Sequence, residues 1–385
     1  MVSHLRTYFT HKQSIAVGMV FISMGFLFGN WATLIPFIKQ KYDLNDAELG
    51  LLLLSMPFGA TAMNPLTTLI INKFGMRSTT FWGLLMLLSA YVIPTQVNHI
   101  LLVSAGLVLV GFGIAITNVA MNTCATALEH QYKINIMSTC HGMFSAGLMF
   151  GSIIASILIG MKLSAGNQSL LVSGMILLIA ILVRPIIMKI HEEKIQTGEG
   201  GKKFSFPKGA LLWMVVISMC TNITEGTMAD WSAVYMRDVV KTNDYFIGWG
   251  LAGYSMFMAL GRFLGDALIP RYGGNKVIQI GGIIAALGIV LSVVFPYTST
   301  SIIGFALVGA GVSCGAPILY GASARVPGMA KGAGLAIMNT FSMGGFLAGP
   351  VLIGFISKAL SLPIAFMIIA SLAILWSLLS GKTKL

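Results

Sequence analysis

Two carboxylates, Glu225 and Asp230, interrupt a stretch from Ala210 to Met236 that contains no Lys or Arg and is long enough to cross a bilayer. An ionised carboxylate in hydrocarbon costs on the order of several kcal/mol, so such a group must face a cavity, meet a partner or hold a proton. A low-dielectric setting favours the neutral acid, so a carboxyl there can load and release a proton reversibly. Protonation also removes the charge before the group passes through a closed state. The alternative for Glu225 is a neutral carboxyl used for helix packing. Asp230 lies five residues on, about 140° around an ideal helix. The two share a face only if the helix breaks, and Gly226 offers a place to bend. A carboxylate at a wet helix end is the alternative for Asp230.

Other polar residues in apolar surroundings could meet a solute. Asn118 and Asn122 are four apart and share a helical face, so their amides present donors and acceptors together. Glue between helices is the competing role. Asn222 lies one turn before Glu225 and is its expected local partner. Trp31 and Trp231 follow the polar residues Asn30 and Asp230; an indole can stack on a sugar ring and donate one hydrogen bond, or anchor at a membrane interface. Tyr320 and Asn339 are further candidates. His141 is the one histidine inside an apolar run, and it could relay protons with Glu225 or simply hydrogen-bond in packing. Arg262 and Asp266, four apart, suit a local ion pair. Cys124, Cys140, Cys220 and Cys314 have no metal-ligand spacing and read as small buried hydrophobes. No phosphate-binding loop, metal cluster or catalytic triad is present in the sequence. It therefore points to no enzyme, cofactor or bound metal.

The elements that must position these residues follow from composition. The chain is 56% hydrophobic and 9% charged, with a mean hydropathy of +0.86, against roughly 25% charged residues in soluble domains. Lipid is therefore its expected solvent. Runs of about 20 apolar residues predict twelve spans, at 14–38, 47–71, 79–97, 100–128, 135–161, 169–190, 210–236, 245–269, 275–296, 300–324, 332–357 and 361–381. The first run is too long for the apolar core of a signal peptide and ends without a cleavage tripeptide. Lys39, Lys41, Lys162, Arg237, Lys241 and Lys358 fall toward one side, and the other eighteen of the 24 Lys and Arg toward the opposite side. By the positive-inside rule the second side is cytoplasmic and carries both termini. The formal charge of +12 is thus explained by topology, with no nucleic-acid partner. A polar stretch with Glu192, Glu193, Lys194, Glu199, Lys202 and Lys203 separates spans six and seven. The expected domains are 1–190, a linker at 191–209, and 210–385.

The two halves repeat. Gly29-Asn30-Trp31-Ala32 matches Ala229-Asp230-Trp231-Ser232 at an offset of 200, and Asp46 with Gly50 matches Asp244 with Gly248 at 198. Lys73-Phe74-Gly75 matches Arg271-Tyr272-Gly273 at 198, and Phe144-Ser145-Ala146-Gly147 matches Phe341-Ser342-Met343-Gly344 at 197. Four matches in order at nearly one offset predict two parallel six-helix repeats, as in carriers that rock around a midplane site.

These residues resemble the major facilitator superfamily over the whole chain. That family's Gly-x-x-x-Asp-Arg-x-Gly-Arg-Arg loop falls here at Thr68 to Arg77, keeping Lys73, Gly75 and Arg77 but with Thr68 and Asn72 at the Gly and Asp positions. A second copy near Asp266 to Lys276 keeps Arg271 and Gly273 and has Pro270 at the acidic position. Asn30-Trp31-Ala32-Thr33 with Pro36, His141-Gly142, Glu225-Gly226, Gly261-Arg262-Phe263 and Gly349-Pro350 resemble the YbjJ-type branch, allied to fucose-permease-like transporters. The resemblance implies an all-α polytopic fold of twelve transmembrane helices in two pseudo-symmetric bundles. It implies secondary active transport by alternating access in a bacterial inner membrane, by a monomer in contact with lipid, a small solute and protons. The expected direction is proton-coupled uptake of a sugar or sugar derivative. Glu225, Asp230 and His141 are then the proton-coupling candidates, with Glu225 favoured because its repeat mate is only Gly25. Asn30, Trp31, Asn118, Asn122, Asn222, Trp231, Tyr320 and Asn339 are solute-binding candidates, and Lys73, Arg77, Arg262, Asp266 and Arg271 gating candidates. Proton-driven efflux is the alternative. Against it, the fifth span has no Gly-Pro signature and the fourth span no Arg. A non-transporting receptor would need an extramembrane domain, and no stretch of this sequence offers one.

Overall fold

A computed structural model describes residues 8–134, 136–192, 206–326, 329 and 333–383, apart from the side chains of Phe263, Asp266 and Ala267. Most of the predicted linker, 193–205, lies outside the described residues. The described residues contain α-helices and no strands. In chain order they are α1 (Lys12–Lys41), α2 (Asp46–Leu53), α3 (Ser55–Phe74), α4 (Met76–Gln96), α5 (Ile100–Tyr132), α6 (Met137–Gly160) and α7 (Ala165–Ile187). There follow α8 (Ala210–Val234), α9 (Trp249–Tyr272), α10 (Gly274–Val294), α11 (Thr298–Val312), α12 (Gly315–Ser323), α13 (Ala333–Ala359) and α14 (Leu362–Leu379). Taken as continuous pairs, α2–α3 and α11–α12 each supply one span. Among the described residues eleven segments are long and apolar enough to cross a membrane. The 24-residue α9 is the twelfth long helix.

Helix ends follow local chemistry. Asn45 caps α2, its Oδ1 accepting from the backbone N–H of Ala47 and Glu48, while Glu48 accepts from the Asn45 N–H. This reciprocal pattern satisfies donors that a helix start leaves free. Ser164 and Ser361 cap α7 and α14 in the simpler way. The matched tripeptides before α4 and α10 share one backbone geometry. Gly75 has φ 81° and ψ 150°, and Gly273 has φ 80° and ψ 150°. A side chain is disfavoured at that φ, which explains a glycine in both copies.

The chain forms two compact units: Met1–Ile38 with Ser55–Glu199, and Lys39–Leu54 with Gly200–Leu385. Lys39–Leu54, from the first sequence repeat, is thus part of the second unit. In the first unit α1 and α6 pack backbone against backbone. A Cβ on Gly25 would stand 2.0 Å from the Phe144 carbonyl oxygen, and one on Gly147 would stand 2.1 Å from that of Ile22. Lipid offers helices no hydrophobic drive to associate, so such close approach supplies much of the packing attraction. The outward side of α7 carries exposed Leu170, Leu171, Leu178 and Leu182, as a lipid-facing surface requires. Cys124, Cys140, Cys220 and Cys314 are all buried and free.

Candidate functional site

The second unit centres its chemistry on α8. This helix runs unbroken through Gly226, so the break that this glycine would permit is absent. A Cβ on Gly226 would meet only Phe346, at 3.8 Å; no close neighbour forces the helix aside. Glu225 and Asp230 therefore point in directions about 140° apart. Both are half-buried, and among the described residues neither makes a hydrogen bond or an ion pair.

Their surroundings differ. Asn222, one turn before Glu225, is buried and donates its amide to the Ser342 carbonyl of α13 at 3.1 Å. Ser218 and Ser342 meet side chain to side chain at 2.6 Å. These bonds tie α8 to α13. Arg262 of α9, half-buried, stands within electrostatic reach of Glu225. Tyr254, also on α9, is 2% exposed, its hydroxyl has no hydrogen-bond partner among the described residues, and both Glu225 and Arg262 lie within its electrostatic reach. Among the described groups no charge acts on Asp230. Trp231, next in sequence, is fully buried, and among the described residues its Nε1 has no partner.

At the end of α8 the backbone widens into a π-helical turn, Tyr235–Val239. Such turns re-aim the side chains they carry. Asp238 there accepts from Lys39 Nζ at 2.6 Å, and the same Nζ contacts Asp46 at 2.6 Å. Ser357 of α13 donates to Asp46, and Arg237 donates to Gln40. Tyr235 donates to the Ser292 carbonyl at 3.1 Å and lies 4.5 Å from the Phe366 ring. Lys39–Leu54 is held to the second unit by this charged cluster.

The remaining α9 and α12–α13 candidates are scattered. Arg271 is exposed and lies over its own neighbour Tyr272. Asp266's side chain is outside the described atoms, so its expected pairing with Arg262 is as well. Tyr320 is half-buried and Asn339 is exposed.

In the first unit Asn30 is fully buried, and its Oδ1 accepts from the Tyr91 hydroxyl at 2.5 Å. Among the described residues its Nδ2 has no partner, and neither does Nε1 of the buried Trp31. Trp31 and Tyr91 border a small apolar cavity with Leu27, Phe28, Met56 and Leu107. Asn122 donates to the Asn118 side chain at 2.9 Å and to its carbonyl at 2.7 Å, so the two amides do share a face. His141 is exposed and meets Phe21 edge-on. Lys73 is exposed above Phe74. Arg77 donates to Glu192 at 2.6 Å and to the Met188 carbonyl at 2.6 Å, and the Met76 N–H also bonds Glu192 at 3.0 Å.

Tyr91, Tyr254 and Glu192 were not singled out as functional from sequence. Tyrosines on other helices give no local signal of what they will meet, and Glu192 reads as one more linker charge. Among the described residues no group of His, Cys, Asp and Glu could hold a metal ion.

A membrane-spanning all-helical chain, internally repeated and with acids inside its spans, is a polytopic membrane transport protein. The family model of the Major Facilitator Superfamily matches residues 16–242 and 215–382, and the chain belongs to that superfamily. It is 31% identical over 369 residues to an uncharacterized MFS-type transporter of Yersinia pestis, covering 94% of this chain and 93% of that one. It is 30% identical over 363 residues to the membrane protein MosC of Rhizobium meliloti, covering 94% and 87%. Among solved structures it is similar to a variant of the nucleoside transporter NupG, with a TM-score of 0.78 at 12% identity over 97% of this chain and 100% of that one. It is also similar to the E. coli fucose:proton symporter FucP, with a TM-score of 0.60 at 19% identity over 96% and 98%.

Proposed function

We propose that this protein is a secondary active transporter that takes up a small polar solute together with protons, by alternating access, in a bacterial inner membrane. The observation that carries the reading is the pair of half-buried carboxylates on α8 with no hydrogen bond or ion pair among the described residues. A membrane helix holds unpaired acids at a cost in stability, and a coupling ion or a solute offsets it. The two amides of Asn118 and Asn122 and the indoles of Trp31 and Trp231 suit a hydroxylated solute such as a sugar or sugar derivative. The fucose and nucleoside named for FucP and NupG are hydroxylated too, although likeness at those identities supports the fold alone. The protein acts as a monomer of two six-helix bundles, 1–190 and 210–385, joined by a cytoplasmic linker, with Arg77 and Arg262 among its gating groups.

Protonation biases which state binds solute, and solute shifts that balance only through its different affinity for the two states. The test is a solute screen in proteoliposomes under an imposed pH gradient, with Glu225→Gln/Asp230→Asn alongside. Wild-type vesicles should accumulate one of the hydroxylated solutes only with the gradient, and the double variant should merely equilibrate it. Accumulation that ignores the gradient refutes proton coupling. Concentration in the outward sense alone establishes efflux instead.

A further inference from the structure

We propose that the groove between α3, α4 and α5 in the first unit binds one phospholipid with an anionic headgroup, drawn from the cytoplasmic leaflet. This goes beyond the transport reading and depends neither on the solute nor on proton coupling.

The groove is built on one stripe of α4. Thr79, Trp82, Gly83 and Met86 line a cavity of about 330 Å³, with Ile70 and Phe74 of α3 and Ile116 of α5 opposite. Spacings of three and four residues put the α4 group on one helical face. The volume falls in the range of about 300–1,000 Å³ found for ligand pockets. Gly83 lets α4 lie close against α5, since a Cβ there would stand 2.8 Å from Ile116 Cγ2. At the mouth Phe74 is 58% exposed and Trp82 62% exposed, an apolar rim that suits hydrocarbon. At about 1.5 Å per residue, Thr79 lies about 5 Å and Met86 about 15 Å from the start of α4 at Met76. The groove therefore runs about as deep as one leaflet, half of a core about 30 Å thick.

Polar groups stand where a phospholipid has them. Thr80 donates to the Met76 carbonyl at 2.8 Å, a common bond of a helical threonine. Its neighbour Thr79 is 3% exposed, and its hydroxyl has no partner among the described residues. A buried hydroxyl left unpaired is destabilising. At the depth of Thr79 a phospholipid carries its ester carbonyls, just beneath the headgroup, and a carbonyl accepts the bond that this hydroxyl has to give. Above it the rim is cationic. Lys73 is exposed, with Nζ 5.2 Å from the centroid of the lining ring of Phe74. On the far flank of Trp82, Arg184 of α7 is exposed and lies 4.9 Å over the Phe81 ring, which meets Trp82 edge-on at 5.4 Å. Neither α3 nor α4 contains Asp or Glu. Arg77 pairs with Glu192 at 2.6 Å, which leaves Lys73 and Arg184 to meet a phosphate. Lys and Arg between membrane helices at the cytoplasmic surface suit anionic headgroups.

The test uses Trp82 as its own reporter. Protein in dodecyl maltoside micelles is titrated with phosphatidylglycerol or phosphatidylcholine brominated midway along the acyl chains, and tryptophan quenching is followed. Subtracting the signal of Trp82→Phe isolates Trp82. Brominated phosphatidylglycerol should quench it saturably, with an affinity roughly 5-fold above that of phosphatidylcholine, the advantage that one nearby cation confers. Added salt should erase this preference. Lys73→Gln should weaken phosphatidylglycerol binding roughly 5-fold, and Lys73→Arg should retain it. Thr79→Val, which keeps the shape and removes the hydroxyl, should weaken both lipids roughly 2- to 10-fold. Equal quenching by the two lipids marks ordinary lipid contact and overturns the proposal. So does quenching that persists in full in Trp82→Phe, which places the lipid at another tryptophan. An affinity that both Lys73→Gln and Thr79→Val leave unchanged overturns it as well.

Discussion

Replacing Lys39 with methionine removes the cation between Asp46 and Asp238 while keeping the bulk of the side chain. Its two contacts of 2.6 Å hold the acceptor oxygens no more than about 5 Å apart, and two like charges at that distance repel by about 1 kcal/mol in water and about 3 kcal/mol at an effective dielectric near 20. The side chains of Lys39 and Asp46 are 20% and 19% exposed, and that of Asp238 is 37% exposed. Water therefore screens the cluster, and the cost falls toward the lower end, about 1 to 2 kcal/mol. Ser357 still donates to Asp46, so α2 stays docked but opens more often. The assay is amide hydrogen exchange of peptides covering Asp46–Leu53, which should exchange roughly 5- to 30-fold faster in Lys39→Met. Lys39→Arg should stay within a few-fold of wild type. Added salt should speed exchange in wild type, because it weakens the attraction that Lys39 supplies. In Lys39→Met the same salt should slow exchange or leave it unchanged, since only repulsion remains to be screened. Exchange in Lys39→Met that matches wild type at low salt would refute the idea that this cluster holds the segment down.

Gly354→Val should release the same segment by another route, because its Cβ would stand 2.5 Å from the Asp46 carbonyl oxygen; exchange over Asp46–Leu53 should rise more than in Lys39→Met. Gly147→Leu should fail to give a monodisperse protein in detergent gel filtration, since the new Cβ meets the Ile22 carbonyl at 2.1 Å and overpacking of this kind costs about 1 to 3 kcal/mol or more. Tyr91→Phe removes the hydroxyl that satisfies Asn30 Oδ1 and should cost about 1 to 3 kcal/mol, read as a lower melting temperature. Arg77→Gln breaks a charged bond to Glu192 in a half-exposed setting and should cost about 1 kcal/mol, with faster exchange near Met188.

Much of the candidate site could be found in the sequence because lipid makes it conspicuous. Glu225 and Asp230 stand out because the span from Ala210 to Met236 carries no other charged residue. Gly75 and Gly273 announce their left-handed turns by their type and by their places in the repeat. Asn118 and Asn122 share a face because four residues is close to one helical turn, a local property. Gly226 did not break α8, since a glycine permits a break without requiring one. The partners were the part hidden from view. Tyr91 on Asn30, Arg262 near Glu225 and Glu192 on Arg77 join residues 37 to 115 positions apart.

By itself the sequence determined that this chain crosses a membrane in repeated helices, and which helix carries the two acids. Those facts depend on hydropathy, period and charge, which each segment contains within itself. Only the tertiary structure decided that the two acids have different surroundings, that Lys39 joins α2 to the π-helical turn after α8, and that Lys39–Leu54 belongs with the second unit. The physical reason is that a side chain's counter-charge and packing neighbours come from other helices. Lipid-facing sequences are too uniform to say which helix that will be.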